Sequence, residues 1–395
     1  MSPTFLDLGV PADLVAALTE HGITHPFPVQ TATVPAALGG RDVCGRAPTG
    51  SGKTLAFGLP LVARTGRAQP KRPRALVLAP TRELAAQIRR DLEPLAAARH
   101  LRLLTVYGGV GYEPQRSALR RGVDVLVACP GRLADLVQQR ALRLDAVETV
   151  VVDEADRMAD MGFLPEVRRL LDQTSPTRQT LLFSATLDGD IAVLTRDYQQ
   201  DPVRHEVAEP DADVSTVEHH FWRVDPKERL RWTARLVDAV GPTMVFCRTR
   251  HGADRVAKQL GSAGVSAAAI HGGRAQGQRD RALAQFTAGH VQALVATDVA
   301  ARGIHVDAVA CVVHFDLPAD AKAYVHRSGR TARAGASGSV VSMVGAEQAK
   351  AMRGLQRDLG LDVALVQPSP AVLSGGARPG REAPRHRARR EVATA

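Results

Sequence analysis

The chain has 395 residues, of which 51 are Lys or Arg and 41 are Asp or Glu, so its formal net charge is +10. Its 45% hydrophobic and 23% charged content is ordinary for a globular protein and excludes whole-chain disorder and fibrous repeats. At roughly 150 residues per domain, the length predicts two or three domains. No apolar stretch approaches about 18 residues, so no membrane span is expected.

The cysteines and the N-terminus indicate a compartment. The four cysteines are far apart and lack C-x-x-C spacing, which argues against a zinc module and a disulfide framework. The N-terminus shows no basic segment followed by an apolar one, so no secretory signal is expected. We therefore expect a cytoplasmic protein.

The excess positive charge is almost entirely arginine. Guanidinium groups bind phosphates in a bidentate manner, which favours a nucleic-acid partner. A GC-rich coding sequence would enrich arginine equally well, so composition alone leaves both interpretations open.

The first half of the chain alternates buried strands with amphipathic helices. Short runs that are apolar on both faces predict parallel strands, and residues 84–95 carry Leu and Ile at helical spacing. The predicted strands are 75–79, 123–128, 150–152 and 180–183.

The same alternation begins again after residue 242, which predicts a second α/β domain. A helix is expected at 253–260. The predicted strands of this second block are 243–246, 291–296, 309–313 and 339–343.

Two segments lack a strand or helix period. Residues 205–216 are acidic and contain a proline, which predicts a linker or its approach. From about residue 367 the sequence is rich in Pro, Gly, Ser, Ala and Arg, and residues 374–395 carry a net charge of +4. Such a segment cannot bury a core and is predicted to be disordered.

Residues 47–54 (Ala-Pro-Thr-Gly-Ser-Gly-Lys-Thr) have the pattern of a phosphate-binding loop, after a short strand that ends near Cys44. Small residues let backbone N–H groups surround phosphates at the start of the next helix. Lys53 is expected to bridge the β- and γ-phosphates, and Thr54 to offer its hydroxyl to Mg²⁺. The expected nucleotide-binding residues of the loop are Thr49, Gly50, Ser51, Gly52, Lys53 and Thr54.

An acidic sequence follows the predicted strand at 150–152. A carboxylate at the end of a buried strand that faces a phosphate loop is a position for Mg²⁺, which we assign to Asp153. Glu154 is then expected to position or polarise the attacking water.

Residues 153–156 (Asp-Glu-Ala-Asp) resemble the signature of the DEAD-box ATP-dependent RNA helicases. The resemblance covers roughly residues 5–345 and rests on about ten motifs in the same order. It implies two tandem RecA-like parallel-sheet domains joined by a short linker, followed by a disordered basic tail. The implied boundaries are 1–205, a linker at 206–217, 218–366 and a tail at 367–395.

Residues 22–30 resemble the Q motif, with Phe5 upstream at the spacing that the family uses. The resemblance implies that Gln30 reads the adenine edge, since an amide both donates and accepts, and that Phe5 belongs to the nucleotide site. Phe27 stands where the family usually has Thr.

Other motifs resemble those with which the family binds the phosphates and sugars of RNA rather than its base edges. Cys129 replaces the usual Thr before Pro130, so one hydroxyl contact is missing. The implied RNA-binding residues are Pro80, Thr81, Arg82, Gly109, Gly131 and Arg132 in the first domain and Gly272, Arg279, Thr297 and Asp298 in the second.

Residues 324–333 resemble motif VI, which implies that Arg330 and Arg333 are arginine fingers for the γ-phosphate. A solvated basic helix face is the alternative for that spacing alone. His305 occupies the place in motif V where the family has a ribose-contacting Asp, so we expect an altered ribose contact. The implied coupling residues are Asp156, Ser184, Thr186, Arg302, His326 and Arg327.

The resemblance implies a monomeric RNA helicase that uses ATP and Mg²⁺ to clamp RNA, to unwind short duplexes locally or to remodel RNA–protein complexes. Two alternatives stay open. A DNA helicase or translocase has the same scaffold, although Gln30 and Asp156 argue against it. An ATP-gated RNA clamp would use the same residues without separating strands. The basic tail either adds sequence-independent RNA affinity or is a solvated extension.

Overall fold

A computed structural model describes residues 3–47, 51–187, 189–206, 217–301, 309–331 and 338–370. The chain divides into two compact units. The first contains residues 1–214, 271–281 and 298–307, and the second contains 215–270, 282–297 and 308–395.

The first unit is built on a seven-stranded sheet in which all the strand pairs are parallel. Its strands are β1 (Val43–Arg46), β2 (Ala75–Leu78), β3 (Leu103–Val106), β4 (Val125–Ala128), β5 (Thr149–Asp153), β6 (Gln179–Ser184) and β7 (Val203–Glu206). They lie in the order β3-β4-β2-β5-β6-β1-β7. Because ligands bind at the carboxyl ends of strands in such sheets, this order decides which loops become neighbours.

Alternate residues of the central strands belong to two separate apolar cores. In β5, Val151 packs into one core while Val150 and Val152 pack into the other. Both faces are therefore covered, which is why these strands read as continuous apolar runs. The helices of the first unit are α1 (Ala12–Glu20), α2 (Pro28–Leu38), α3 (Lys53–Arg64), α4 (Arg82–Ala98), α5 (Tyr112–Arg121), α6 (Pro130–Gln138), α7 (Ala155–Asp160), α8 (Leu164–Leu171) and α9 (Asp190–Tyr198).

The second unit contains its own parallel seven-stranded sheet, in the order β10-β11-β9-β12-β13-β8-β14. The strands are β8 (Val217–Arg223), β9 (Thr243–Phe246), β10 (Ala267–Ile270), β11 (Ala293–Ala296), β12 (Cys311–His314), β13 (Gly338–Val344) and β14 (Leu365–Val366). The remaining helices are α10 (Arg229–Val240), α11 (Arg250–Ser262), α12 (Gln276–Thr287), α13 (Asp298–Ala301), α14 (Ala321–Ser328) and α15 (Ala349–Leu359), with a 3-10 turn at Ala346–Gln348.

Two helices that carry predicted site residues, α4 and α14, begin at side-chain caps. Thr81 Oγ1 accepts from the Leu84 N–H (3.3 Å) at the start of α4. Asp320 Oδ1 accepts from the Ala323 N–H (2.7 Å) at the start of α14. Such caps satisfy N–H groups that the first helical turn leaves open, so each cap fixes where a motif residue enters its helix.

The predicted strands all appear, and the predicted α/β class with two parallel sheets is confirmed. The predicted linker differs at its ends, because Glu206 lies in β7 and Val217 begins β8. These strands are half-polar, so their sequences do not show the apolar runs of central strands. Residues 207–216 and 371–395, which include most of the predicted linker and tail, lie outside the described residues.

Residues 271–281 group with the first unit, although the predicted boundaries place them in the second domain. Among the described residues, no helix combines the length and the apolar character needed to cross a bilayer. All four cysteines are free thiols.

Candidate active site

The motifs of the first unit lie at the carboxyl-terminal edge of its sheet. β1, β5 and β6 are followed by the phosphate loop, the acidic motif and the Ser-Ala-Thr motif. β2, β3 and β4 are followed by the predicted RNA-binding motifs. Since parallel strands end at one edge, the strand order places nucleotide motifs and RNA motifs side by side.

A cavity of about 410 Å³ opens at the start of α3. Residues of the Q motif, the phosphate loop and the acidic motif line it together with apolar side chains from α1 and α4. The predicted site residues in the lining are Gln30, Gly52, Lys53, Thr54, Asp153 and Glu154.

Lys53 and Asp153 are two of the residues that line this cavity. Lys53 is buried and its Nζ donates to the Ala47 carbonyl oxygen (2.7 Å). Asp153 is 3% exposed, and burial raises its pKa to about 7, although the positive charge of Lys53 opposes the rise. An anionic carboxylate here is therefore stabilised by cations.

Glu154 has a left-handed backbone, with φ 51° and ψ 52°, at the start of α7. A non-glycine residue in this region is strained, and such strain concentrates at functional sites. Its carboxylate forms an ion pair with Arg157, and both side chains are buried. Sequence reasoning did not single out Arg157.

Gln30 connects the Q motif to the phosphate loop. Its Nε2 donates to the Gly52 carbonyl oxygen (2.9 Å), and its Oε1 accepts from the Phe27 N–H (2.9 Å). Gly52 has φ 87°, and a Cβ there would lie 2.5 Å from Gln30 Nε2. An amide group keeps a second hydrogen and a second lone pair, so Gln30 can still meet an adenine edge.

Ser184 joins three motifs. Its Oγ accepts from the Asp156 N–H (3.2 Å), and its carbonyl oxygen accepts from the Ala47 N–H (3.2 Å). The end of β6 thus touches both the acidic motif and the residue that begins the phosphate loop. Thr186, the other predicted coupling residue of this motif, is half-buried.

The donor set at Thr54 and Asp153 fits Mg²⁺. Both line the cavity, and one hydroxyl and one buried carboxylate are hard oxygen ligands. Among the described residues no cluster of three acidic, His or Cys side chains could hold a metal by itself. In nucleotide sites, waters and phosphates supply most of the ligands of Mg²⁺.

A second group of site residues surrounds the loop at 108–109. A Cβ at Gly109, which has φ 81°, would overlap Arg82 Nη1. Arg132 Nη1 donates to the Val110 carbonyl oxygen (3.0 Å), and its guanidinium lies 3.9 Å from the centroid of the Tyr112 ring. The structure thus brings Arg82 and Arg132 to one loop.

Tyr112 is a further residue that sequence reasoning missed. A second guanidinium, that of Arg116, lies 5.5 Å from the centroid of its ring, and its hydroxyl donates to Asp135 Oδ2 (2.9 Å). Cation–π contacts of this kind hold a guanidinium in place. The remaining predicted residues of this group, Pro80, Thr81 and Gly131, lie at the ends of β2 and β4.

The predicted residues after β10 and β11 lie in different surroundings. Gly272 is exposed, Thr297 is buried and Asp298 begins α13. Arg279 is buried, and its Nη2 lies 2.8 Å from Glu83 Oε1 within the first unit. That guanidinium is therefore engaged with a carboxylate, and its predicted contact with RNA stays a prediction.

The predicted motif VI residues lie on and after α14 in the second unit. Arg327 Nη1 donates to the Asp316 carbonyl oxygen (2.7 Å), and its guanidinium lies 5.3 Å from the centroid of the Phe246 ring. His326 is half-buried and Arg330 is buried.

Some predicted site residues fall elsewhere. Phe5 is 1% exposed and packs in an apolar core of the first unit rather than lining the cavity. Five predicted residues lie outside the described residues: Thr49, Gly50, Arg302, His305 and Arg333.

Comparison with known families agrees with this geometry. The model of the DEAD/DEAH box helicase family matches residues 27–193, and that of the helicase conserved C-terminal domain matches residues 228–335.

Two curated relatives illustrate the similarity. The chain is 41% identical to DEAD-box ATP-dependent RNA helicase 3A, chloroplastic, of Zea mays, over 91% of this chain and 50% of the relative. It is 37% identical to DEAD-box ATP-dependent RNA helicase CshA of Bacillus subtilis (strain 168), over 90% of this chain and 72% of the relative. The chain therefore spans about half the length of the maize relative.

Among solved structures, S. cerevisiae Dbp5 bound to RNA and ADP BeF3 is similar with a TM-score of 0.82 and 25% identity. The alignment covers 93% of this chain and 96% of Dbp5. The chain has two parallel sheets of the same topology, and its acidic motif lies beside its phosphate loop. Together with these matches, this shows that the chain belongs to the DEAD-box family of ATP-dependent RNA helicases.

Proposed function

We propose that the protein is an RNA-dependent ATPase that clamps RNA and uses ATP to unwind short duplexes locally or to remodel RNA–protein complexes. The observation that carries the proposal is the shared sheet edge. On one side, this edge carries a cavity lined by residues of the phosphate loop and the acidic motif. On the other side, it carries Arg82 and Arg132, which lie against the loop at 108–109. The names of the relatives, and the RNA and ADP BeF3 bound to Dbp5, support the same activity.

Three residues of the cavity have distinct roles in ATP binding and hydrolysis. Lys53, at the start of α3, binds the β- and γ-phosphates with the backbone N–H groups of its loop. Gln30 binds the adenine edge with its remaining donor and acceptor. Glu154 orients the attacking water and accepts its proton.

A magnesium ion held by Thr54 and Asp153 would neutralise the charge that develops on the phosphates. Burial and the neighbouring carboxylates make Asp153 costly to ionise alone, and Lys53 offsets part of that cost. The chain's own residues thus prepare the site for a cation.

The RNA side of the proposal rests on Arg82 and Arg132. Guanidinium groups bind phosphates without reading bases, so RNA binding is expected to be largely independent of sequence. Tyr112 holds one of these guanidinium groups against the loop. Action as a monomer and a cytoplasmic location are also part of the proposal, and the four free thiols support that location.

The test is ATP hydrolysis by the full chain with RNA, with single-stranded DNA and without nucleic acid. We expect stimulation by RNA that falls by about 100-fold or more in Lys53→Ala and in Glu154→Gln. Lys350→Ala, at an exposed lysine on α15, is the matched control and keeps the wild-type rate.

Different outcomes separate the alternatives. Stimulation by DNA as strong as that by RNA would indicate a DNA helicase or translocase. Stimulation by RNA without strand displacement on a short RNA duplex would indicate a clamp. Full turnover in Lys53→Ala would contradict the proposed ATP site.

A further inference from the structure

The carboxylate of Glu154 is paired with a cation that no motif assigned. Arg157 Nη1 and Glu154 Oε2 form an ion pair across the first turn of α7, and each side chain is 8% exposed. A buried ion pair of this kind is held firmly, because neither charge has water to replace its partner.

The backbone strengthens this arrangement. The left-handed conformation of Glu154 turns the chain sharply between β5 and α7. The Arg157 N–H donates to the Glu154 carbonyl oxygen (3.0 Å) in the same turn. Backbone and side chain of Arg157 therefore both hold the residue that precedes α7.

Two cations act on carboxylates of the acidic motif. The charge of Lys53 acts on Asp153, whereas the guanidinium of Arg157 contacts Glu154. Lys53 and Glu154 line the cavity, but Arg157 does not. Arg157 thus contacts Glu154 without itself lining the cavity.

We propose that Arg157 is a positioning residue for ATP hydrolysis, which fixes one oxygen of the Glu154 carboxylate so that the side chain is held toward the attacking water. The proposal rests on the proposed function of Glu154. Arg157 itself has no contact with the nucleotide in this role. Its loss therefore slows the chemical step and leaves substrate binding intact.

The test is single-turnover and steady-state ATP hydrolysis by the full chain with saturating RNA. In Arg157→Gln the misplaced carboxylate is expected to lower kcat by about 10- to 100-fold. The KM for ATP and the RNA concentration at half-maximal stimulation stay within about twofold of wild type, because binding groups are unchanged. Arg157→Lys keeps the charge but not the guanidinium geometry and is expected to recover part of the rate.

A double-mutant cycle distinguishes positioning from a structural role. If Arg157 acts only through Glu154, then Arg157→Gln added to Glu154→Gln causes no further loss in the single-turnover rate. The matched control is the pair Glu166–Arg169 on α8, which has the same three-residue spacing but an exposed arginine. Arg169→Gln is expected to leave kcat at the wild-type value.

Three results would overturn the proposal. One is a kcat within about twofold of wild type in Arg157→Gln, or in Arg157→Lys where Arg157→Gln does not fold. The second is an equal loss with and without the Glu154→Gln substitution. The third is full activity of Glu154→Gln, which contradicts the proposed function itself, whereas the first two results leave that function standing.

Discussion

The guanidinium of Arg82 occupies the space that a side chain at position 109 would fill. Gly109 also has φ 81°, a conformation that suits glycine. Two requirements therefore coincide at one residue, namely a left-handed backbone and close approach of an arginine. A Cβ at position 109 would therefore require the guanidinium of Arg82 to move.

Gly109→Ala is predicted to displace the Arg82 guanidinium and to weaken RNA binding. We expect the RNA concentration at half-maximal ATPase stimulation to rise about 10-fold, the effect of losing a charge-assisted hydrogen bond. The left-handed alanine also lowers stability by about 1 kcal/mol. RNA titration of the ATPase rate checks the first effect, and thermal unfolding checks the second.

Gly162 supplies the control, because it has φ 74° and no atom within 4 Å of an added Cβ. Gly162→Ala carries the same backbone strain without touching an arginine. An equal loss of RNA stimulation in both variants would show that strain, and not displacement of Arg82, causes the effect.

Residue types and spacing predicted Lys53 and Asp153, and the family resemblance predicted Gln30; all three line one cavity. Local order along the chain carries that information, because a phosphate loop needs a strand before it and a helix after it. Arg157 could not be predicted in the same way. An arginine three residues after a glutamate usually belongs to an exposed helix face, and only tertiary packing shows that this pair is buried.

At the scale of elements, α14 contacts two histidines of its sheet through Tyr324, whose ring centroid lies 5.6 Å from that of His219 and 4.8 Å from that of His314. His219 of β8 shares a 2.7 Å hydrogen bond through Nδ1 with the Tyr324 hydroxyl. His314 of β12 shares a 2.9 Å hydrogen bond through Nδ1 with Ser342 Oγ. The helix that carries the predicted motif VI residues therefore depends on neutral imidazole rings.

Burial lowers the pKa of His219 to about 4, and the nearby His220 lowers it further. Burial also lowers the pKa of His314 well below the usual value, and Arg327 and His219, which face it from α14 and β8, act in the same direction. The unfolded chain takes up these protons near pH 6.5, whereas the folded chain does not. The stability that these neutral rings contribute is therefore fully present above that pH and is lost as the pH drops below it.

His314→Asn is predicted to reduce this pH dependence, because the amide keeps a hydrogen-bonding group for Ser342 but does not titrate. Between pH 6 and pH 5 the slope of unfolding free energy should fall by up to about 1.4 kcal/mol per pH unit. Tryptophan fluorescence in urea reports this unit specifically, since Trp222 and Trp232 are the two tryptophans of the chain and both lie in it.

The exposed His290 provides the control for that measurement. His290→Asn should keep the wild-type slope. Identical slopes in wild type and His314→Asn would contradict the role of the buried ring, whatever the absolute stability of the variant.

Central strands were predictable as elements, whereas strands at the sheet edges were not. β7 is only partly buried and mixes Val203 with charged neighbours, so its sequence resembles a polar linker. The apolar run signals burial on both faces, and edge strands lack one neighbour. The predicted linker consequently extends into β7 by one residue, Glu206, and it also extends by one residue, Val217, into β8, whose exposed and half-buried polar residues give no apolar run.

At the scale of the whole molecule, the net charge of +10 has two sources. Residues 374–395 supply +4, which leaves +6 for the rest of the chain. Within the first unit, Arg157 is paired with Glu154 and Arg279 with Glu83, so these two buried arginines add no excess charge. Residues 374–395 therefore carry 4 of the 10 net positive charges in 22 of the 395 residues, a larger share of the charge than of the length.

Removal of residues 371–395 is predicted to weaken RNA binding in a salt-dependent manner. The cut leaves β14 intact, and the lost charges release about three fewer counterions, so the slope of log K against log salt should be shallower by about three. Fluorescence titration of single-stranded RNA at several salt concentrations measures the slope. A full-length variant with the tail arginines changed to glutamine should match the shortened chain if charge is the cause. Equal slopes for the shortened and complete chains would show that the tail is a solvated extension.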